Sequence, residues 1–238
     1  MRNNVTVLAT TLAIASLAVT LAMGVAEAVD TAVAAFDPLS EPILVDHVLD
    51  KMLVNFGVFT GVSLGYLQYR RSRGAGPLVR FRRPTWTDAR FAIMGFFVVL
   101  GVGAVLHQTV AALDISTGEN TLTAAAESDP RLYVVAAVTS ILFVAPGEEI
   151  LFRGVVQGRL REVFGPIAAV VLGGVVFAVP HLVAAYTGPG AVVSIGIVFG
   201  ISLALGALYE YTGTLFVPIV AHGFYNVAIL AIVALSAG

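Results

Sequence analysis

Hydrophobic residues run in seven long, nearly unbroken stretches along the chain. Each stretch is close to the length of about 20 apolar residues that a helix needs to cross a bilayer core. The strands of a membrane β-barrel would instead alternate apolar and polar residues over segments of about ten residues. The pattern therefore predicts an all-α fold, a polytopic transmembrane helix bundle of about seven spans. The predicted spans are Val5–Ala26, Met52–Tyr69, Phe91–Leu113, Leu132–Phe152, Pro166–Ala185, Ala191–Tyr209 and Thr214–Leu235.

The composition agrees with a membrane protein. Apolar residues make up 58% of the chain and charged residues only 12%, whereas a soluble domain carries about 25% charged residues. This excludes a soluble enzyme and a disordered chain. The net charge of −2 gives no electrostatic footprint for nucleic acid. The sequence has no cysteine, which excludes disulfides, thiolate nucleophiles and thiolate metal sites.

The charges between the spans predict the orientation. The connections after the first and third spans are acidic, with Asp30, Asp37 and Glu41 in the former and Asp114, Glu119, Glu127 and Asp129 in the latter. Basic residues cluster after the second span, at Arg70, Arg71, Arg73, Arg80, Arg82, Arg83 and Arg90, and Arg159 and Arg161 follow the fourth. Because basic loops stay in the cytoplasm, we expect a multi-pass cell-membrane protein. Its N-terminus and Arg70–Arg90 loop would be cytoplasmic.

The end of the first span resembles a signal-peptidase site. Ala26-Glu27-Ala28 fits the A-x-A pattern of such sites. The apolar run before it is longer than the 7–15 residues, approximately, of a signal peptide's hydrophobic region. We therefore interpret it as a retained membrane helix.

Polar residues interrupt the apolar spans of the C-terminal half in three places. The first is Glu148, Glu149 and Arg153, in which Glu149 and Arg153 are four residues apart and share a helix face. The others are His181, and the pair His222 and Asn226. A charged group near the bilayer centre costs about 2.5–3.5 kcal/mol on insertion scales, so these residues are candidates for function.

Helical geometry predicts that the three groups lie at one depth. Glu149 and His181 flank the turn between the fourth and fifth spans, at heights of roughly 20 and 24 Å from it at about 1.5 Å per residue. His222 and Asn226 lie roughly 14 and 20 Å from the inner end of the last span. A single constellation explains this match more simply than three unrelated burials.

Such a set can carry out hydrolysis. A carboxylate and an imidazole can hold and deprotonate a water molecule. A second imidazole and an amide can stabilise the oxyanion that forms when water attacks a carbonyl. Two histidines and a glutamate are also a zinc-type ligand set, although the H-E-x-x-H signature is absent. The residues alone leave both versions open.

In their order and spacing these residues resemble the CPBP family, the CAAX-prenyl-protease and bacteriocin-processing membrane proteases also called ABI. The resemblance rests on Glu148-Glu149-x-x-x-Arg153, Phe177-x-x-x-His181 and His222-x-x-x-Asn226, and covers about residues 131–235. The stretch from Gly213 to Pro218 is also similar to that family. We therefore expect a hydrolase whose C-terminal four helices form the catalytic core.

The resemblance implies a role for each residue. Glu148 would act as the base with His181 as its partner, and His222 and Asn226 would stabilise the oxyanion. Glu149 and Arg153 would hold the site in position. No cofactor is implied, zinc being the alternative. The partners would be the lipid bilayer and a membrane-anchored peptide or protein substrate, as with prenylated CAAX proteins, and not a nucleic acid.

These expectations divide the chain into N-terminal transmembrane helices with the arginine-rich loop, residues 1–130, and a CPBP-like protease core, residues 131–238. Two other functions remain open. A catalytically silent membrane scaffold or immunity partner would use the polar cluster to hold its helices together. A proton-coupled transporter would use the buried Glu and His as a relay, although no internal repeat typical of transporters is seen.

Overall fold

A computed structural model gives the fold and describes residues 3–35 and 42–237; Asp37 and Glu41 lie outside these residues. Among the described residues, seven helices are long and apolar enough to cross a membrane, which confirms the predicted number. They are spans 1 to 7: Asn4–Ala35, Ile43–Ser72, Trp86–Ala112, Arg131–Leu160, Pro166–Ala184, Ala191–Thr212 and Phe216–Ser236.

Span 2 is longer at its start than the apolar run predicted. The helix begins at Pro42, whereas the sequence placed the start of the span at Met52. Polar residues occupy the added turns, and Lys51 pairs with Asp50 at an Nζ–Oδ2 distance of 2.6 Å. Hydropathy finds only the apolar part of such a helix, because the polar residues lower the mean hydropathy of the added turns.

Spans 2 and 4 are not wound as uniform α-helices. In the described chain, π-helical segments occur at Lys51–Val58, Ser140–Val144 and Ile150–Gln157. The α-helical segments of these two spans are Pro42–Asp50, Phe59–Ser72, Arg131–Thr139, Ala145–Glu149 and Gly158–Leu160. Pro146 cannot donate a backbone hydrogen bond one turn back, and the π-helical turn at Ser140–Val144 accommodates this opening. Short π-helical segments within helices are frequent at functional sites.

Two of the three apolar clusters among the described residues divide the spans into two groups. Spans 1, 2, 4 and 5 meet around Leu151, Phe152 and Phe177. Spans 3, 6 and 7 meet around Val99, Leu205 and other buried side chains. The polar residues of the C-terminal half lie where these two groups of spans adjoin.

The loops at one end of the bundle are joined by a small β-bridge. Strand β1, Glu119–Asn120, pairs antiparallel with β2, Tyr186–Thr187. The Gly118 amide also donates to Oγ of Ser194 at 3.0 Å. A short helix, Thr121–Ser128, follows β1. Span 5 ends nearby, where Pro180 divides Pro166–Ala178 from the short helix His181–Ala184.

The arginine-rich connection at the opposite end folds back onto the bundle. The Arg80 amide donates to the Tyr209 hydroxyl at 2.9 Å. The Leu215 amide donates to the Arg80 carbonyl at 3.1 Å, and Leu78 is buried. This connection therefore covers that end of the helices.

Candidate active site

Four of the six predicted site residues line one cavity. Glu148, His181, His222 and Asn226 border a space of about 540 Å³ between spans 2 to 7. Glu149 and Arg153 are completely or almost completely buried and are not among the cavity-lining residues. The adjacent glutamates therefore face different surroundings, one the cavity and the other the protein interior.

The Glu148 carboxylate is held by side chains from two other spans. Its Oε1 accepts a hydrogen bond of 3.0 Å from Nδ2 of Asn55 in span 2. Its Oε2 lies 3.9 Å from Nε2 of His222 in span 7. One oxygen is therefore fixed by an amide while the other faces an imidazole at the cavity wall.

One oxygen of the Glu149 carboxylate contacts two basic side chains, those of His222 and Arg153. Its Oε1 lies 2.8 Å from Nδ1 of His222 and 3.1 Å from Nη1 of Arg153. The predicted Glu149–Arg153 pairing is thus present. A proton on Nδ1 of His222 is donated to Glu149 in this geometry, so the ring is oriented with its Nε2 towards Glu148.

Arg153 is secured by contacts with two further spans. Its Nη2 donates to the carbonyl and to Oγ of Ser202 in span 6, at 3.3 and 3.0 Å. Its guanidinium carbon lies 4.4 Å from the centroid of the Phe177 ring in span 5, a favourable cation–π distance. A buried charge needs such partners, because an unpaired charge in the interior is costly.

The aromatic residue one turn before His181 is Phe177, and its ring contacts both histidines of the site. Its ring centroid lies 4.8 Å from the ring of His181 and 6.1 Å from that of His222. Its carbonyl oxygen lies 3.0 Å from Nδ1 of His181. If Nδ1 carries the proton and donates to this carbonyl, Nε2 of His181 is left as an acceptor.

Asn55 and Ser202 were missed by the sequence reasoning. Asn55 is a buried polar residue in the apolar part of span 2, so the principle that singled out the glutamates could have found it. Ser202 had no comparable signal, because a serine in an apolar helix often bonds only its own backbone.

Spans 2 and 4 approach each other closely beside Glu148. A Cβ atom added to Gly147 would lie 1.7 Å from the carbonyl oxygen of Asn55. Only glycine fits at this crossing, and the contact brings the Asn55 side chain within reach of the carboxylate.

The cavity continues from the four polar residues to the loops around the β-bridge. His107, Thr117 and Glu119 line it there and are exposed. Tyr186 also lines this part, and burial raises the pKa of its hydroxyl against the lowering effect of Asn120. The walls between are largely apolar, with Ile197, Ile201, Ile229, Leu230 and Val233 among them.

The site residues do not form a metal cluster. Across residues 3–35 and 42–237, no group of three or more His, Asp or Glu side chains is placed to hold one ion. The 3.9 Å between His222 Nε2 and Glu148 Oε2 also exceeds the roughly 3.3 Å expected between two ligands of a tetrahedral zinc with bonds of about 2.0–2.1 Å.

Comparison with protein families identifies the segment that carries this site. Residues 130–228 match the family model described as type II CAAX prenyl endopeptidase Rce1-like. The C-terminal part of the chain is therefore similar to the Rce1-like family. The predicted resemblance to CAAX-type membrane proteases is thereby confirmed.

The Rce1-like segment includes all six predicted site residues, whereas Asn55 lies outside it. Over these residues the chain is similar to membrane proteases of the CAAX endopeptidase type. Searches of curated proteins and of solved structures found no match.

Proposed function

We propose that the protein is a metal-independent intramembrane glutamate peptidase that cleaves a membrane-associated peptide. The observation that carries this proposal is the cavity, which brings together a carboxylate, two imidazoles and an amide, Glu148, His181, His222 and Asn226. Glu149 and Arg153 are buried behind them.

In the first step, water bound between Glu148 and His181 attacks the carbonyl carbon of the scissile peptide. Glu148 accepts the proton as the new C–O bond forms. Asn55 leaves one carboxylate oxygen free for this role, since it occupies only Oε1. The bond of His181 to the Phe177 carbonyl directs its Nε2 towards the water. General-base assistance of this kind contributes about 10²–10⁴-fold to the rate.

The negative oxygen of the tetrahedral intermediate is stabilised by His222 and Asn226. With both ring nitrogens protonated, His222 donates Nδ1–H to Glu149 and presents Nε2–H to the oxyanion. The Asn226 amide provides a second donor. Loss of one such donor typically costs about 10²–10³-fold in kcat. Collapse then breaks the C–N bond, and Glu148 returns its proton to the leaving amine.

The cavity walls suit a substrate with apolar side chains near the cleaved bond. The wall formed by spans 6 and 7 includes Ile197, Ile201 and Ile229. A lipid-linked peptide would keep its anchor in the bilayer and place its polar backbone against the four polar residues.

Cleavage by the purified protein in lipid vesicles tests the proposal. The probes are fluorogenic peptides anchored by a palmitoyl or a farnesyl group, and the variants are Glu148→Gln and His181→Ala. We expect both to lose cleavage while remaining folded. Glu210→Gln is the matched control, because Glu210 binds Gln157 and Arg161 away from the cavity.

Persistent cleavage by Glu148→Gln would overturn the mechanism. A silent scaffold predicts a different result: no cleavage by the wild type, and unfolding when the glutamate is changed. Circular dichroism and thermal unfolding in detergent distinguish loss of catalysis from loss of fold.

A further inference from the structure

The two ends of the helix bundle carry opposite charge. One end, here called the arginine face, contains Arg70, Arg71, Arg73, Arg80, Arg82, Arg83, Arg90, Arg159 and Arg161. Contacts between connections confirm that these residues share one end, since Arg70 pairs with Glu162 at 2.7 Å and Arg80 with Glu210 at 3.1 Å. The other end, here called the acidic face, contains Asp114, Glu119, Glu127 and Asp129.

The cavity opens at the acidic face. All of its lining residues belong to the described part of the chain. Three of them are exposed: His107, Thr117 and Glu119. All three lie at or beside the loops joined by the β-bridge. From this mouth the cavity reaches inwards as far as Glu148 and His222.

The arginine face is closed beneath the site. The first layer under Glu148 is the buried Glu149–Arg153 pair. The next layer is Gln157, whose Nε2 donates to the Gly206 carbonyl at 3.1 Å and to Glu210 at 2.9 Å.

The backbone of the arginine-rich connection completes the closure. Its Arg80 amide and carbonyl bond to Tyr209 and Leu215, and both of these side chains are essentially fully buried. A Cβ atom added to Gly158 would lie 3.1 Å from the Leu78 carbonyl. These contacts, with the layers of Glu149, Arg153 and Gln157, fill the described part of the bundle between the arginine face and Glu148 with packed side chains and backbone.

The positive-inside rule places the arginine face in the cytoplasm. We infer that the substrate reaches the site from the non-cytoplasmic side, as a peptide held in the outer leaflet by a lipid or helical anchor. This inference rests on the proposed peptidase function and specifies its substrate class. A prenylated C-terminus displayed in the cytoplasm would meet the closed arginine face instead.

The orientation can be measured without any activity, because the chain has no cysteine. Ser72 at the arginine face and Thr187 beside the mouth are both exposed hydroxyl residues outside the cavity lining. They form a matched pair, Ser72→Cys and Thr187→Cys. In intact spheroplasts, a membrane-impermeant maleimide should label Thr187→Cys at once and Ser72→Cys only after permeabilisation. The opposite labelling would overturn the inference.

The side of substrate entry is then tested with wild-type protein and Glu148→Gln. The palmitoyl- and farnesyl-anchored fluorogenic peptides are added to spheroplasts and to inverted membrane vesicles. We expect Glu148-dependent cleavage in spheroplasts and only the Glu148→Gln background in inverted vesicles. Cleavage confined to inverted vesicles would overturn the inference but keep the peptidase. Failure of the detergent-solubilised wild type to cleave either probe would contradict the proposed function itself, and the inference with it.

Discussion

Asn55 and Glu148 are joined by a hydrogen bond of 3.0 Å between Nδ2 and Oε1. The bond crosses from the second span to the fourth, over 93 residues of sequence. It fixes one oxygen of the proposed base and leaves the other turned towards His222. The N-terminal helices therefore take part in the site, although its motif residues all lie in the C-terminal half.

Replacing Asn55 by alanine should reduce cleavage by about 10–100-fold, because a catalytic group displaced by about 1 Å can lose about 10² in rate. The loss should fall on kcat more than on KM, since the amide orients the base rather than binding the substrate. Steady-state kinetics with an anchored fluorogenic peptide measure both parameters.

Ser63→Ala is the control for Asn55→Ala. Ser63 is a buried polar residue of the same span, and its hydroxyl bonds only the Phe59 carbonyl of its own helix. Its loss should leave the kinetics unchanged. A wild-type kcat for Asn55→Ala would show that the amide does not position Glu148.

A second prediction concerns the close crossing of spans 2 and 4. Gly147→Ala places a methyl group against the Asn55 backbone, and overpacking of this kind costs typically about 1–3 kcal/mol or more. We expect a lower Tm and a loss of cleavage together, because the backbone must shift where Asn55 binds Glu148. Thermal unfolding in detergent and the cleavage assay provide the two readouts.

Gly61→Ala tests whether the effect is specific to the crossing. An added Cβ at Gly61 meets nothing within 4 Å, and alanine is favoured over glycine in a helix by about 1 kcal/mol. This variant should be as stable as the wild type or more stable, with unchanged cleavage. Similar losses in both glycine variants would contradict the assigned role of the crossing.

The bundle and the core of the site were predictable because their signals are local. Long apolar runs define membrane helices, and charged residues inside them stand out by their insertion cost. Glu149, His181, His222 and Asn226 could be placed at a similar depth by counting helix rise alone. The cavity shared by His181, His222, Asn226 and the adjacent Glu148 agrees with that estimate.

Other features depend on tertiary packing, which the sequence pattern does not encode. Whether Asn55 faces lipid or a carboxylate depends on how span 2 crosses span 4 at Gly147. The π-helical winding of Ile150–Gln157 likewise arises where the helices meet. The start of span 2 was missed because polar residues occupy its first turns, ahead of the apolar run.

A third prediction concerns the buried pair behind the site. Removing one partner of a buried ion pair costs about 3–5 kcal/mol, so Arg153→Met should strongly destabilise the protein by leaving Glu149 uncompensated. Adding Glu149→Gln should restore part of the Tm, since no charge then remains unpaired. Cleavage should stay low in the double variant, because His222 has lost the carboxylate that orients its ring. Recovery of both stability and cleavage would contradict this positioning role.

The last prediction concerns metal removal. Three of the atoms that a zinc ion would compete for are already engaged: Glu148 Oε1 with Asn55, His181 Nδ1 with the Phe177 carbonyl, and His222 Nδ1 with Glu149. We therefore expect cleavage to be unchanged after dialysis against EDTA and 1,10-phenanthroline, with metal content followed by mass spectrometry. A zinc peptidase would lose activity as the metal leaves and regain it on addition of zinc, because its metal-bound water is the nucleophile. Glu148→Gln run in parallel sets the background rate, so a chelated wild type that falls to this background and recovers with zinc would replace the glutamate mechanism with a metal one.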